Sequence, residues 1–427
     1  MPDDADVSTW KINPAGMIRY FNNVTYTLHH AVADLVDNCI DADATIIEIW
    51  MDYDRDTNAN PYLWVADNGT GISEDDWEDV MEIGKEESED NARLGTYGVG
   101  MKLSSLTQAE EITIYSKPPG QNQLSLRRIS KNLIEEVRDR LVLANTINPN
   151  PLIQQDKIVE LFEEKGFNTV VTLESMHKMN LNVSMESTPE QLFNKYKKDI
   201  RAHLGLTYHR ILEQRGTTLE IKINNSPIVP VDPFLMHEDS HWHGTIRVQD
   251  NTKSIQVSEG VNVPLDVSMH VLPHERLIEN RARAREVHQL KKKSQMQGLY
   301  FYRNDRIIQY GGWHGIWSEL DTLQLARCSI EIPPDYNEYF GVSPYKLAVE
   351  PAPAIFTKLQ EIFSQERDWG KLYKSPEQYP EKSYLYVAKK TGTSQRGHGI
   401  AAQRYTTEGV LYKNSRLADD ANPFAEQ

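Results

Sequence analysis

The chain has 427 residues, of which 39% are hydrophobic and 25% are charged, and its formal net charge is -16. This length predicts two to three domains of about 150 residues each, and the composition is typical of a soluble globular protein. The negative charge excludes a uniformly basic nucleic-acid binder, because phosphate contacts require clustered Lys and Arg, but it leaves room for a local basic patch.

The cysteines and the N-terminus indicate the compartment. Cys39 and Cys328 cannot build a disulfide framework or a cysteine-rich zinc site, which suggests a reducing environment. The acidic N-terminus lacks the apolar region of a signal peptide. No apolar run approaches the roughly 20 residues that span a bilayer. We therefore expect a cytoplasmic protein with no membrane association.

Strands and helices alternate over the first part of the chain. Each predicted strand is a short run rich in β-branched and aromatic residues, with helical patterns between the strands. These strands cover residues 45–51, 62–66, 112–115 and 169–173. The alternation predicts an α/β sandwich with a mixed sheet. A polar stretch at 182–189 then predicts a domain boundary.

A second region follows this boundary. We predict a helix over 192–212, a strand over 219–223 and a hairpin over 299–308 that turns at Asn304 and Asp305. Beyond about residue 365 the pattern weakens, which fits either a small extra element or a partner-docking extension. The predicted ranges are an N-terminal strap at 1–25, a first domain at 26–185, a second domain at 190–365 and a C-terminal extension at 366–427.

The first chemical motif lies on a predicted helix. Asp34, Asp37, Asn38 and Asp41 are spaced i, i+3, i+4 and i+7, which places them on one helix face. Crowded carboxylates repel each other unless a cation or solvent relieves them, and an Asn with an acid one turn away suits Mg²⁺. The alternative is a solvent-exposed acidic face, and this motif alone does not decide between the two.

The second motif, Asp67–Gly71, directly follows a predicted strand. Gly69 and Gly71 are expected to supply positive φ angles in a tight turn. Glycine also lets a flat ring approach the backbone, and an acidic neighbour can accept a hydrogen bond from an exocyclic amine such as that of adenine. The alternative is a plain strand-ending turn.

The third motif, Gly95–Lys102, is a glycine-rich loop that leads into a helical run. Backbone N–H groups at such a helix start can point at an anion, and Lys102 adds a mobile positive charge for phosphate. The spacing fits neither a P-loop nor a dinucleotide-binding fingerprint. The polar stretch Lys85–Arg93 before it is predicted to be a mobile lid.

Together, these motifs resemble the GHKL ATPase superfamily, which includes MutL, type II topoisomerase ATPase regions, ninety-kilodalton heat-shock chaperones, MORC proteins and sensor histidine kinases. Asp34–Asn38 is similar to the family's N-box, Asp67–Gly71 to its adenine-binding box and Gly95–Lys102 to its lid-and-phosphate box. Thr169 is similar to the strand threonine that helps to hold adenine. MORC-like and MutL-like ATPases fit best.

The resemblance covers roughly residues 20–365 and implies a Bergerat-fold ATPase domain followed by an S5-type transducer domain. Tyr300–Ile308 is similar to a strand pair of MORC proteins, and Phe340–Lys346 resembles the transducer loop whose lysine reaches the γ-phosphate. Two positions depart from the family. Asp34 stands where relatives carry Glu, so that either it acts through a shifted water or hydrolysis is slow. Asn168 stands where a Gly is usual, which affects the local turn.

The implied cofactors are ATP and Mg²⁺. Asn38 would be the metal ligand, Asp67 would hold the adenine amine, Asp34 would be the general base and Lys346 would stabilise charge on the γ-phosphate. The implied nucleotide contacts are Asn38, Asp41, Asp67, Gly69, Gly71, Lys85, Gly95, Tyr97, Gly98, Val99, Gly100, Met101, Lys102 and Thr169.

The resemblance also implies a function for the ATP cycle. The segment before Tyr26 would exchange across a homodimer that forms on ATP binding, which would make a nucleotide-gated clamp. Prokaryotic relatives are linked to restriction and other antiviral defence systems, so double-stranded DNA and an effector such as a nuclease are the expected partners. The alternatives are an ATP-binding switch with little or no turnover, a kinase of the histidine-kinase branch, and a chaperone-like ATPase.

Three other clusters have simpler explanations. His237, His241 and His243 are better explained by an exposed polar loop than by a metal site. The basic residues of Arg281–Lys293 fit a solvated helix face better than a DNA-binding patch. Trp313–Trp317 is explained by packing inside the second domain.

Overall fold

The computed structural model describes residues 13–22, 26–57, 59–82, 93–94, 100–137, 142–146, 151–179, 188–236, 246–272, 293–319, 326–343, 346 and 348–365. The chain divides into two compact units. The first contains residues 1–204 and 214–228, and the second contains residues 205–213 and 229–427. None of the helices in the described ranges has the length and apolar character that a bilayer span requires.

The first unit is built on a seven-stranded sheet with the order β4-β3-β5-β2-β1-β6-β7. Its strands are β1 (Ile46–Asp54), β2 (Ala59–Asp67), β3 (Glu111–Ser116), β4 (Ser125–Ser130), β5 (Thr169–Glu174), β6 (Glu220–Ile223) and β7 (Ser226–Pro227). Strand β1 pairs with β6 in parallel and with β2 in antiparallel orientation. The sheet is therefore mixed, as predicted.

Helices accompany the strands of this unit along the chain. They are α1 (Pro14–Asn22), α2 (Leu28–Asp41), α3 (Trp77–Met81), α4 (Gly100–Leu106), α5 (Lys131–Val137) and α6 (Gln155–Glu163), with α7 (Pro189–Thr207) leading out of the unit. On α2 the predicted apolar stripe of Leu28, Ala31, Leu35 and Cys39 is buried. The combination of this sheet and these helices confirms the predicted α/β sandwich.

Alternate residues of the strands face opposite sides of the sheet. Ala66 and Val170 lie opposite each other in the β2–β5 pair, and both belong to a core cluster to which Leu161 of α6 contributes. The next pair, Asp67 and Thr169, points to the other face. Because of this alternation, the polar side chains of Asp67 and Thr169 lie side by side at the end of β2.

The division of the chain differs from the predicted boundary at 182–189. Strand β6 runs beside β1, with Ile47 opposite Ile221, so residues 214–228 return to the first unit. The predicted helix over 192–212 is also interrupted, because α7 ends at Thr207 and α8 (His209–Gln214) follows it. Thr207 and Tyr208 at the interruption are both weak helix formers.

The second unit contains a five-stranded sheet with the order β11-β10-β12-β9-β8. Its elements are α8, β8 (Ile246–Ser258), β9 (Val261–Val271), α9 (Lys293–Met296), β10 (Gly298–Arg303), β11 (Arg306–Tyr310), β12 (Ala326–Glu331) and α10 (Pro353–Gln365). The predicted hairpin is confirmed, with Asn304 and Asp305 at φ angles of 48° and 62°. Two residues with positive φ are typical of a tight hairpin turn.

The core of the second unit explains its aromatic residues. Trp313 is 1% exposed, donates a 2.9 Å hydrogen bond from Nε1 to Gln297 Oε1, and packs against Phe363 of α10. Its ring also lies 4.7 Å from that of Trp317, centroid to centroid. Packing inside this unit therefore accounts for the Trp313–Trp317 motif, as predicted.

Candidate functional site

The acidic face of α2 is largely buried. Asp34 and Asp37 are 3% and 1% exposed, whereas Asn38 is exposed. The Tyr26 hydroxyl donates a 2.5 Å hydrogen bond to Asp34 Oδ2, and Asn38 Nδ2 donates to the Asp34 backbone carbonyl at 2.9 Å. This bond engages the amide nitrogen of Asn38. Its amide oxygen, Oδ1, is the atom that can bind a cation. The alternative of a solvated acidic face does not hold for Asp34 and Asp37.

Asp41 anchors a distant part of the chain to the end of α2. Its Oδ1 accepts a 2.7 Å hydrogen bond from the backbone N–H of Leu94, and Leu94 is 3% exposed. The contact fixes the chain directly ahead of the predicted glycine-rich loop. Asp41 thus connects the first and third motifs.

The turn after β2 needs glycine at two positions for different reasons. Gly71 has a φ of +71° and lies so close to Pro118 that a Cβ would approach Pro118 Cα to 2.8 Å. Gly69 is not among the residues with positive φ, which corrects the expectation that both glycines supply such angles. It is required because a Cβ there would lie 2.5 Å from the backbone oxygen of Ala42, at the end of α2.

Asp67 and Thr169 form the polar pair at the end of the sheet. They are 4% and 8% exposed and lie directly opposite each other on β2 and β5, which puts their Cβ atoms about 4.5–5.5 Å apart. The Gly69 N–H donates a 2.8 Å hydrogen bond to Asp67 Oδ1. Burial raises the pKa of Asp67 to about 6, against the lowering effect of the hydrogen bond from the Gly69 amide and of the nearby Cys39 thiol.

The polar pair of Asp67 and Thr169 lies beneath α2. The thiol of Cys39, which belongs to this helix, interacts with the Asp67 carboxylate. Asp34 is five residues earlier on the helix, about 7.5 Å along the axis at 1.5 Å per residue. The Asp67 acceptor and the Asp34 carboxylate are therefore separated along one helix. An elongated ligand with a ring at one end and a charged group at the other matches this spacing.

Lys102 is fixed by hydrogen bonds, whereas the sequence predicted a mobile positive charge at this position. It is 5% exposed, and its Nζ donates hydrogen bonds to the backbone carbonyls of Val80, at 2.7 Å, and of Glu82. These carbonyls lie at the C-terminal end of α3. Contact with a phosphate would require Lys102 to exchange these partners.

Several predicted contacts lie outside the described residues or have no described side chain. Gly100 and Met101 start α4, and the side chain of Met101 is not described. The predicted contacts outside the described residues are Lys85, Gly95, Tyr97, Gly98 and Val99. His237, His241, His243, the basic segment 281–292 and the predicted extension 366–427 lie outside them as well.

Lys346 belongs to the second unit. Its side chain is 6% exposed, its φ is 51°, and its backbone N–H donates a 2.8 Å hydrogen bond to the carbonyl of Ser343. Its role toward a γ-phosphate stays a prediction.

Comparison with known proteins identifies one segment of the first unit. Residues 26–159 match the family described as histidine kinase-, DNA gyrase B-, and HSP90-like ATPase. This range contains Asp34, Asn38, Asp67 and Gly69. It is a GHKL ATPase domain.

Three curated relatives are MORC ATPases. This chain is 31% identical over 118 residues to mouse ATPase MORC2B, 32% identical over 99 residues to mouse ATPase MORC2A, and 32% identical over 99 residues to human ATPase MORC2. The aligned segments cover 27%, 22% and 22% of this chain, but only 11%, 10% and 10% of the relatives. The similarity is therefore limited to one domain of much longer proteins. Within this domain, the chain is MORC-like.

Two contributors to the GHKL domain were not predicted from the sequence. Tyr26, which hydrogen-bonds Asp34, precedes α2 without a motif of its own. Asn68 accepts hydrogen bonds at Oδ1 from the backbone N–H groups of Thr45 and Ile46, at 2.9 and 2.8 Å. The side chain of Asn68 thus joins the turn to the start of β1. No sequence signal indicated this bond, because its partners lie 22 and 23 positions from Asn68, beyond the neighbouring backbone to which Asn side chains commonly bond in turns.

Proposed function

We propose that the chain is a Mg²⁺-dependent ATPase whose nucleotide lies between α2 and the end of the sheet. The observation that carries this proposal is the buried Asp67 carboxylate beside Gly69, under the same helix that carries Asp34 and Asn38. The GHKL family match and the MORC relatives support ATP as the ligand. The distance along α2 from Cys39 to Asp34 supports a nucleotide with adenine near Asp67 and its reacting phosphate near Asp34.

The residues present fit both ATP and Mg²⁺. A buried carboxylate with an accepting oxygen suits the exocyclic amine of adenine, and the close packing of Gly69 against the Ala42 backbone fixes the turn that holds this carboxylate. Asn38 offers an amide oxygen of the kind that Mg²⁺ accepts. When bound, Mg²⁺ would neutralise charge on the phosphates. The further predicted contacts Asp41, Gly71, Lys102 and Thr169 are part of the same proposal.

Asp34 is the proposed general base. Phosphoryl transfer needs a group that orients the attacking water and accepts its proton. The Tyr26 hydroxyl donates a hydrogen bond to one carboxylate oxygen of Asp34, and the Asp34 carboxylate is the proposed proton acceptor. The bond from Tyr26 would also fix the orientation of the carboxylate, and this compensates in part for a side chain one methylene shorter than Glu.

Two substitutions test these roles. Asp34→Asn should keep ATP affinity and abolish phosphate release, because the amide cannot accept a proton from water. Unchanged turnover in this variant would remove Asp34 as the base. Asn38→Ala should lose Mg²⁺-dependent ATP affinity, and wild-type affinity would exclude Asn38 as the metal ligand. Isothermal titration calorimetry and steady-state phosphate release measure the two properties separately.

A second candidate function is an ATP-binding switch with little turnover. The observation that favours it is the shorter Asp34 at the position of the base. Mg²⁺-dependent binding with no phosphate release above that of Asp34→Asn would establish the switch and refute the ATPase. Transfer of label from ATP to the protein would instead indicate the kinase branch, and suppression of client aggregation would indicate a chaperone.

The purpose of the ATP cycle is a wider proposal. As a MORC-like ATPase, the chain would form a homodimer on ATP binding, with the S5-type transducer at 190–365 supplying Lys346 to the γ-phosphate. Double-stranded DNA in a prokaryotic antiviral system, with an effector such as a nuclease, is the proposed setting. Mass measurement with a non-hydrolysable nucleotide tests dimerisation. The ATPase rate with and without double-stranded DNA tests the substrate, and a Lys346→Ala variant with full turnover would refute the transducer contact.

A further inference from the structure

Three histidines from two helices meet in the first unit, outside the proposed nucleotide site. His29 and His30 lie in the first turn of α2, and His203 lies on α7, more than 170 residues later. The ring centroids are separated by 4.5 Å for His29 and His30, 4.7 Å for His29 and His203, and 4.6 Å for His30 and His203. One nitrogen from each ring lies within 4.8 Å of the others.

We propose that His29, His30 and His203 bind a divalent transition-metal ion of the zinc class. Imidazole nitrogens suit Zn²⁺ and its neighbours in the first transition series, whereas Mg²⁺ prefers oxygen. A tetrahedral Zn²⁺ site has Zn–N distances of about 2.0–2.1 Å and hence nitrogens about 3.3 Å apart. The observed separation of up to 4.8 Å would therefore shorten by up to about 1.5 Å when the ion binds.

The surroundings favour neutral imidazoles, which are the form that binds metals. Burial lowers the pKa of His29, and the Asp199 carboxylate opposes this shift. The positive end of the α2 dipole disfavours a cation, but coordination by three imidazole nitrogens is much stronger than this effect, so the start of the helix does not prevent metal binding.

The neighbouring side chains can orient these ligands. Thr27, at the N-cap position of α2, has its Oγ1 3.0 Å from His29 Nε2 and 2.6 Å from His30 Nδ1. Asp199 precedes His203 by one turn of α7. Hydroxyl and carboxylate partners of this kind commonly fix the ring orientation of metal-binding histidines. A water molecule or Asp199 would supply the fourth ligand.

A bound ion would join the start of α2 to α7. Tyr26, whose ring centroid lies 6.0 Å from that of His30, also donates its hydroxyl hydrogen bond to Asp34. The ion would therefore fix the helix turn next to the proposed base. Metal binding itself does not depend on ATP hydrolysis, because none of the three ligands belongs to the nucleotide site.

The test uses untagged full-length protein, stripped of metal by a chelator and titrated with Zn²⁺ alone. The chain has 13 histidines, so the informative quantity is the difference between wild type and variants. We expect His203→Ala and His30→Gln to weaken the tightest Zn²⁺ site by more than about 100-fold, since even partners outside the ligand set contribute about 10–100-fold. The matched control is His177→Ala, whose ring pairs with Glu110 and lies outside the cluster. It should keep the site.

A second measurement applies even if a variant fails to fold. Zinc X-ray absorption of the wild type at one equivalent should show imidazole nitrogens as the main ligands, and excess Mg²⁺ should not displace the ion. Zinc should also raise the melting temperature of the wild type but not that of His203→Ala. Equal Zn²⁺ affinity in wild type and His203→Ala, or a zinc spectrum with fewer than two imidazoles, would overturn the proposal.

Discussion

Asn168 donates a 2.7 Å hydrogen bond from Nδ2 to the carbonyl oxygen of Gly69. The same nitrogen lies 3.2 Å from the carbonyl of Asn68, and the backbone N–H of Asn168 donates to the carbonyl of Asp67 at 2.7 Å. One residue therefore binds the carbonyls of three consecutive residues in the turn after β2. A glycine at position 168 would keep the backbone bond and lose the other two.

Replacing Asn168 should loosen the turn that is proposed to hold adenine. Loss of the two side-chain bonds in Asn168→Ala should lower the free energy of unfolding by about 1–3 kcal/mol, because a buried carbonyl is left unsatisfied. We also expect ATP affinity to fall several-fold in calorimetric titration. Asn262→Ala, at an exposed position of β9, is the matched control. Wild-type affinity in Asn168→Ala would show that the turn keeps its shape without this side chain.

Gly69 should tolerate no side chain because of steric overlap with its neighbours, and not because of backbone strain. A Cβ there would lie 2.5 Å from the Ala42 backbone oxygen and 2.9 Å from Asp67 Oδ1. Gly69→Ala should therefore push the turn away from α2 and remove measurable ATP binding. In α1, a Cβ at Gly16 would meet its nearest atom at 3.5 Å, an ordinary contact. Gly16→Ala should leave binding intact and stabilise the helix by about 0.5–1 kcal/mol.

Tyr26 is expected to act on turnover more than on binding. Its hydroxyl contacts Asp34, the proposed base, at 2.5 Å. Tyr26→Phe removes this bond and lets the carboxylate rotate, so kcat should fall about tenfold, a change of roughly 1.4 kcal/mol in the barrier. ATP affinity should stay close to wild type. The control is Tyr20→Phe, because Tyr20 is 70% exposed on α1. A fall in affinity with unchanged kcat would assign Tyr26 to nucleotide binding instead.

The sequence predicts the parts of this structure that depend on local periodicity. The burial of α2, the strands β1, β2, β3 and β5 and the mixed sheet follow from residue patterns that each lie within a short window. The Asn168 bonds to Gly69 and the meeting of His29 with His203 do not follow from them, because they join residues about 100 or more positions apart. The predicted division at 182–189 differs from the structure for the same reason, since β6 reaches the first sheet by long-range pairing with β1.

The raised pKa of Asp67 gives a dependence of stability on pH. Burial moves the pKa from 3.8 to about 6 in the folded protein, so protonated Asp67 is favoured by folding. Its stabilising contribution is complete below about pH 3 and is lost as the pH rises through 6, a loss of about 3 kcal/mol at 1.36 kcal/mol per pKa unit. Asp67→Asn cannot ionise, so the free energy of unfolding of the variant relative to wild type should increase by this amount between about pH 3 and about pH 7.

Urea unfolding of both proteins across this range measures the difference, since the other acids contribute to both and cancel. ATP affinity should increase as the pH rises, whereas the stability of the wild type falls. The wild type should bind ATP more weakly below pH 6, as protonation removes an acceptor for the adenine amine, and Asp67→Asn should bind weakly at every pH. Parallel stability curves for the two proteins would refute the raised pKa. A variant that is more stable at pH 7 but binds ATP poorly would mean that Asp67 is retained for the nucleotide at the expense of stability.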